Sequence, residues 1–425
     1  MRFKLSVLYF FIRLKWQKWW FKNRLGKLKD LHWKSLAPTL LRSSFYASYA
    51  EQSEPIESYP IINKSIFMAN FTAINTVGIQ QEAAYAEAAL AERSRSFTPT
   101  LNGVTVGLSS GTSGNRGIFL ATETERAHWV AAVLDRVLGF SFRKRSVAFF
   151  LRANSNLYSS VKSNLLQFEY FDLLLPVEDQ LARLQELNPT ILVAQPSLLL
   201  ELARAIKEKR LQISPEKVIS VAEVLTPEDR KVLEAVFGEP LHQVYQCTEG
   251  FLAASCAYGT LHFNEDFVHI ERKYLDTDQQ RFHPIITDLV RTSQPVIRYE
   301  LNDIIHVKTT PCPCGSSWLA IEQIEGRSDD VLEFTLPPET QVNHQLKKSS
   351  SERATPSIVQ HPSSVRIYPD FIRRAIVMAD PEINVYEVVQ ISPQEISLYI
   401  DGSEQRYQLA EEALKNLLSG YELCY

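Results

Sequence analysis

ILVAQPSLLLELARAIKEKR (191–210), KVISVAE (217–223), TPEDRKVLEAVFG (226–238) and LHQVYQC (241–247) follow one another with short connections. The apolar run at 191–195 reads as a strand buried on both faces. Pro196 and Ser197 then open a helical stretch. A second strand lies at 217–223. Thr226-Pro-Glu-Asp229 is a helix start: a capping hydroxyl, a proline in the first turn, and acids at the positive end of the dipole. Gly238 ends that helix, and 241–247 is the next strand. Strand–helix–strand–helix–strand at this spacing requires right-handed crossovers, hence a parallel sheet flanked by helices.

Reading outward, VTVGLSS (104–110) is a strand running into a glycine-rich loop. A helix is expected from Glu123 to Leu138 and a strand at 146–152. Residues 259–310 alternate apolar and polar positions and predict a β-rich subdomain. Residues 336–363 are rich in Pro, Ser, Gln and Lys and read as a mobile loop or linker. A helix (369–378), strands at 384–391 and 395–400, and a last helix (404–418) then make a small α+β domain. The expected class is α/β. A large N-terminal domain (35–328) carries mostly parallel sheets flanked by helices plus the β-rich subdomain. A basic head (1–34) precedes it and the α+β domain (329–425) follows.

The chain has 425 residues, and single cores stop growing at about 250–300, so more than one domain is required. Hydrophobic residues make up 45% and charged residues 22%. That composition excludes collagen-like, mucin-like and wholly disordered chains. The net charge of −4 suggests no nucleic-acid partner. Residues 1–34, however, hold ten Lys/Arg and one Asp, a net of +9, which leaves −13 on the rest. The head also holds Trp16, Trp19, Trp20 and Trp33, four of six tryptophans. No stretch approaches the ~18 apolar residues of a membrane span. The run at 6–12 is short, and Arg13, Lys15 and Lys18 follow it without a small-residue cleavage site, so it is not a signal peptide. Two readings remain for the head. It lies as an amphipathic helix on the inner membrane surface, or its aromatics pack on the body. Five widely spread cysteines argue against a disulfide framework and for a reducing cytoplasm.

Ser109-Ser-Gly-Thr-Ser-Gly-Asn-Arg-Gly117 sits between a strand and a helix. Gly111, Gly114 and Gly117 let the backbone bend toward a ligand. Ser109, Ser110, Thr112 and Ser113, with backbone N–H groups, are donors for phosphate oxygens. Arg116 adds fixed charge and a fork for phosphate. The spacing is not that of a Walker loop, and a flexible surface turn is the alternative.

This stretch resembles the SSGTTGxPKG loop of the adenylate-forming enzymes: acyl-CoA synthetases, luciferases and peptide-synthetase adenylation domains. Asn115 and Arg116 replace the usual Pro and Lys. Ala222-Glu223 resembles the GAE segment, Tyr245–Glu249 the YGxTE motif, Arg298–Asp303 the RYRTGD motif and Gly326–Asp330 the GRxDD hinge. Five motifs in register over 109–330 point to the phenylacetate-CoA ligase branch, which includes a deazaflavin-cofactor adenylylating enzyme. The resemblance implies ATP-dependent activation of a small aromatic or unsaturated carboxylic acid to an acyl-adenylate. Transfer to a thiol of CoA or of a carrier protein's phosphopantetheine follows. Two alternatives are AMP transfer to a cofactor hydroxyl and a catalytically degraded nucleotide-binding protein.

By the same resemblance, residues 109–117 hold the β- and γ-phosphates, and Ala222 and Glu223 line the adenine pocket. Tyr245 stacks on adenine, Thr248 bonds a phosphate oxygen and Glu249 binds Mg²⁺. Asp303 takes the ribose hydroxyls, Arg327 lies near ribose and phosphate, and Asp329 is the hinge between domains. The family's C-terminal SGKIxR lysine has no convincing equivalent, since the chain ends Ser419-Gly-Tyr-Glu-Leu-Cys-Tyr425. Cys256, His262, Cys312 and Cys314 would complete a structural Zn²⁺ site, supported by a Cys–His pair and CxCG segment in some members of the branch. Their alternative is ordinary turn and core positions.

Overall fold

The computed structural model describes residues 2–94, 99–109, 117–139, 143–151, 166–172, 175–238, 240–327, 332–335, 364–367, 386–419 and single positions between 372 and 383. It divides into two compact units. One comprises Met1–Lys273, Pro284–Leu301 and Val307–Gln323; the other comprises Tyr274–His283, Asn302–His306 and Ile324–Tyr425.

The stretch read first forms the expected elements in the expected order, except that the strand expected over 217–223 ends at Ser220. In the first unit, parallel strands run in the order Leu166–Asp172, Arg145–Leu151, Ile191–Ala194, Lys217–Ser220, His242–Cys247. Ile191–Ala194 is buried at every position. Helices Pro196–Lys207 and Pro227–Phe237 cover this sheet. Leu199, Leu202 and Leu233 pack with Leu192, Phe150 and Phe171 from the strands, each fully buried side chain contributing about 2 kcal/mol. The Thr226 hydroxyl accepts from the Asp229 N–H at 3.1 Å, and Gly238 leaves the helix at φ +86°. Beyond the last parallel strand the direction reverses: Gly250–Ser255 and then Leu261–Phe263 add antiparallel.

A separate three-stranded sheet, Thr100–Leu101, Val104–Leu108 and Ile118–Ala121, packs Val104, Val106, Ile118 and Leu120 on Ala84 and Ala88 of helix Gln81–Ser94. A Cβ at Gly107 would lie 2.2 Å from the Phe119 ring, so any other residue there would force that ring to move. The helix expected from Glu123 to Leu138 is α-helical to Val133 and closes with a π turn, Leu134–Leu138.

The head forms two helices, Arg2–Trp20 and Leu25–Leu36. One side of the first docks on the body. Leu14 and Phe21 are buried, Phe10 meets His128 edge-on at 5.3 Å, and Lys15 pairs with buried Asp135 at 2.7 Å. Ser317 donates to the Lys22 carbonyl at 2.8 Å. The packing reading of the head therefore holds for that side. No helix among the described residues is long and apolar enough to cross a membrane.

In the second unit, strands Leu332–Thr335 and Ser364–Ile367 pair antiparallel, as do Tyr386–Ser392 and Glu395–Ile400. Phe334, Ile367, Ile376, Leu414 and Leu418 form its core, with helix Glu404–Ser419 placed as the sequence implied. Most of the 369–378 helix and all of the 336–363 loop lie outside the described residues.

Candidate functional site

The His242–Cys247 strand has a parallel neighbour on one side and an antiparallel one on the other. Thr248 and Glu249 are the two residues between it and Gly250–Ser255, at the carboxyl end of the last parallel strand. In open α/β sheets, ligands bind outside those ends. The Thr248 hydroxyl donates to Glu249 Oε2 at 2.8 Å. Arg291 Nη1 donates to the Thr248 carbonyl at 2.6 Å, and Nη2 donates to Gln294 Oε1. Gln294 in turn accepts from Leu120 N–H at 3.0 Å and donates to the Ile118 carbonyl at 2.9 Å. The turn is thereby fastened to the strand that follows the serine/glycine loop.

The two described ends of that loop close on each other. Ser109 N–H donates to the Gly117 carbonyl and Gly117 N–H to Ser109 Oγ, both at 2.8 Å. Gly117 lies so close to Thr248 that a Cβ would sit 3.4 Å from Thr248 Oγ1. Ser110, Gly111, Thr112, Ser113, Gly114 and Arg116 lie outside the described residues. Gly117, Thr248, Glu249, Arg291 and Lys64 line a small pocket together with Phe67, Met68 and Val296. Lys64 opens a short helix capped by Asn63, whose Oδ1 accepts from the Ile66 N–H at 3.0 Å.

Two buried carboxylates brace this wall. Burial alone would raise the Glu125 pKa. Hydrogen bonds from Ser293, Thr122 and Thr292 overcome that and hold it below the ordinary carboxylate range. Asp288 goes the other way. Burial pushes it up to about 6, against donation from the Val290 and Arg291 N–H groups.

The remaining expected residues are more dispersed. Tyr245 is buried within its strand, its ring 6.3 Å from that of Phe263. Ala222 is exposed and adopts φ +67°, a conformation that costs a residue with a Cβ about 1–2 kcal/mol. Glu223 caps the Pro196 helix: it accepts from Ser197 Oγ at 3.1 Å and Ser197 N–H at 3.3 Å. Asp303 and Arg327 belong to the second unit, where Oδ1 and Nε are 3.9 Å apart. Asp329 lies outside the described residues. Arg298, the first residue of its motif, holds Glu271 with two bonds of 2.9 and 2.7 Å.

Cys256, His262, Cys312 and Cys314 come together, their ligand atoms all within 4.8 Å of one another. Cys256 Sγ and Cys312 Sγ are 3.6 Å apart, and Cys314 Sγ and His262 Nε2 are 3.5 Å apart. A tetrahedron with metal–sulfur bonds of about 2.3 Å and metal–nitrogen bonds of about 2.0 Å has edges of about 3.8 and 3.5 Å. The sulfurs are far beyond disulfide distance, and the four cysteines described are free. The Trp318 carbonyl lies 3.1 Å from His262 Nδ1; with the proton on that nitrogen, Nε2 faces the sulfurs with its lone pair. The Tyr258 and Ser316 N–H groups each donate to a sulfur at 3.4 Å. Burial and the adjoining thiols push Cys314 up to about 11, against the Ser316 N–H. Cys312 is held low in spite of burial by hydrogen bonds from Thr260, the Cys314 N–H and His262. This donor set suits a divalent ion, whose charge lets all three sulfurs ionise together.

No family model and no curated protein matches the sequence. Solved structures do match. A 2-hydroxyisobutyryl-CoA ligase in the postadenylation state with R3-HIB-AMP is similar over 93% of this chain and 83% of its own, at TM-score 0.60 and 16% identity. The same ligase in an open conformation with 2-HIB-AMP and CoA is similar over 93% and 90%, at TM-score 0.56 and 16% identity. This chain has the fold of the adenylate-forming ligases. On that fold, sequence reading passed over Lys64, Arg291, Gln294 and Glu125. Only Glu125 carried a signal, the Thr122-x-x-Glu125 capping box. Arg291 and Gln294 sit in a stretch without pattern and act through contacts made across 43 and 176 residues.

Proposed function

We propose that this chain uses ATP to convert a small carboxylic acid to an acyl-adenylate and then passes the acyl group to a thiol. A carboxylate oxygen attacks the α-phosphorus, the bond to the bridging oxygen breaks, and pyrophosphate leaves. The thiol sulfur then attacks the carbonyl carbon, loses its proton, and AMP leaves. Such chemistry needs no protein nucleophile; it needs anions held and their charge neutralised.

The observation that carries this reading is the closure of Ser109 and Gly117 against Thr248 and Glu249. Gly117, Thr248, the Glu249 carboxylate and two cations, Lys64 and Arg291, line one pocket there. Glu249 commits Oε2 to Thr248 and keeps Oε1, a hard oxygen donor that suits Mg²⁺. When bound, that ion would offset phosphate charge. Arg291 is occupied in holding the Thr248 carbonyl, so Lys64 is the cation we assign to the substrate anions. CoA is the favoured acceptor because the similar ligase was solved with it. An aromatic or unsaturated acid and a carrier-protein acceptor rest on the motif resemblance. The Cys256–His262–Cys312–Cys314 cluster we assign to structural zinc, since all four positions are filled by protein.

Acid-dependent ATP–pyrophosphate exchange across aromatic and aliphatic acids tests the reading. Glu249→Ala is expected to lower exchange about 100-fold or more, and Lys64→Ala about tenfold or more. Exchange with no acid in the panel by folded protein, or full exchange by Glu249→Ala, would overturn it.

A further inference from the structure

The Arg2–Trp20 helix has two apolar faces, and the body covers only one. Phe3, Phe10, Leu14 and Gln17 turn toward the body. Leu5, Leu8, Tyr9, Ile12, Trp16, Trp19 and Trp20 are all at least half exposed, with Trp19 at 71%. At about 100° per residue these seven fall within an arc of about 120°, opposite the docked side. Their order (i, i+3, i+4, i+7, i+11, i+14, i+15) makes one continuous stripe down the helix. Scattered exposed apolar residues mean little, but a contiguous stripe marks a binding surface. Trp16 and Trp20 stack with ring centroids 5.9 Å apart, and Trp19 lies 5.7 Å from Trp20. The stripe therefore ends in a wall of indoles.

Charge specifies the occupant. By the same arithmetic, Lys4 flanks one edge of the stripe and Arg2 and Arg13 the other; Lys15 and Lys18, on the Lys4 edge, are turned to the body, Lys15 on Asp135 and Lys18 over the Trp318 ring. An apolar arc rich in tryptophan and bordered by cations matches the boundary of an anionic bilayer. Indoles settle there at headgroup depth and long basic side chains reach up to the lipid phosphates. A second copy of the chain fits poorly, because a self-complementary interface would bring two such basic borders together. The orientation is also fixed by charge. The head carries +9 and the rest of the chain −13, so an anionic surface attracts the head and repels the body.

We propose that residues 5–20 form a membrane-surface docking face that holds the protein on anionic lipid, with the helix lying in the plane of the headgroups. The helix is about 28 Å long and stays docked on the body by its other side, so no part of the fold has to open.

The test uses the full-length protein and vesicles of phosphatidylcholine with or without about one-third phosphatidylglycerol. Expected are co-sedimentation with the anionic vesicles and a blue shift of tryptophan emission. Binding should fall at least about tenfold in 1 M salt, where screening lengths shrink to about 3 Å. The triple variant Trp16→Ser, Trp19→Ser, Trp20→Ser changes only exposed positions. It should keep the wild-type melting temperature and pyrophosphate exchange while binding at least about tenfold more weakly. A charge variant, Arg2→Glu with Lys4→Glu, should lose anionic selectivity. Absence of vesicle binding at low salt overturns the proposal, as does equal binding by the triple variant. A vesicle-free dimer that the triple variant converts to monomer overturns it in favour of self-association.

Discussion

Arg298→Ala separates a structural arginine from a substrate-binding one. In the motif resemblance Arg298 opens a segment tied to nucleotide binding, yet its guanidinium is spent within the first unit. Nε and Nη2 grip Glu271, and Nη1 donates to the Glu57 and Tyr59 carbonyls at 2.7 and 2.8 Å. Its carbonyl accepts from Ile62 N–H at 3.0 Å. The guanidinium thus joins the N-terminal arm to the β-rich region. Charge-assisted bonds contribute about 1.5–3 kcal/mol each. The Glu271 side chain, 23% exposed, recovers part of its hydration when abandoned. A loss of about 3 kcal/mol is the net expectation. Arg298 also sits at φ +47°, so Arg298→Gly relieves backbone strain and should lose about 1 kcal/mol less than Arg298→Ala. With a urea slope of about 3 kcal/mol per molar, the alanine midpoint should fall by about 1 M. Exchange per folded molecule should be nearly unchanged at low denaturant. An unmoved midpoint together with lost exchange would refute the assignment and make Arg298 a ligand-binding group.

Two further outcomes follow from buried groups. Purified protein should carry about one zinc per chain, and Cys312→Ser or a strong chelator should lower both zinc content and melting temperature, the latter by about 5 °C or more; metal-free protein with an unchanged melting temperature would exclude a structural ion. His32 and His128 are both held neutral, lowered to about 4 and about 3 chiefly by burial and secondarily by neighbouring cations. The unfolded chain takes up these protons below about pH 6.5, so their stabilisation is complete above that pH and lost as pH falls toward 4. The loss is up to about 3 kcal/mol for His32. Thermal melts at pH 5 and 7.5 should differ accordingly, less so for His128→Phe; identical melts in wild type would contradict it.

The parallel half of the fold was legible because its signals are local. Thr226 caps, Gly238 terminates, and the run at 191–194 is apolar throughout because both of its faces are covered. The head was legible only as two competing readings, since a helix with two apolar faces satisfies both. The candidate site was half legible. Thr248 and Glu249 stand out in a motif, whereas Lys64 gains its place only when the chain folds back across more than 180 residues. Glu223 stands out in its motif, but its bond from Ser197 at the start of a helix 26 residues earlier was not legible. The Cys–His cluster was readable as a ligand set, but its tetrahedral spacing required both segments to be brought together.

The arm contacts bear on how the chain is made. Arg298 reaches the Glu57 carbonyl across 241 residues, and Ser317 reaches Lys22 across 295. A ribosome adding about 5–20 residues per second synthesises the aromatic head first and supplies these partners about 12–60 seconds later. Through that interval the arm lacks part of its docking surface, so the segment richest in tryptophan leaves the ribosome well before the contacts that secure it.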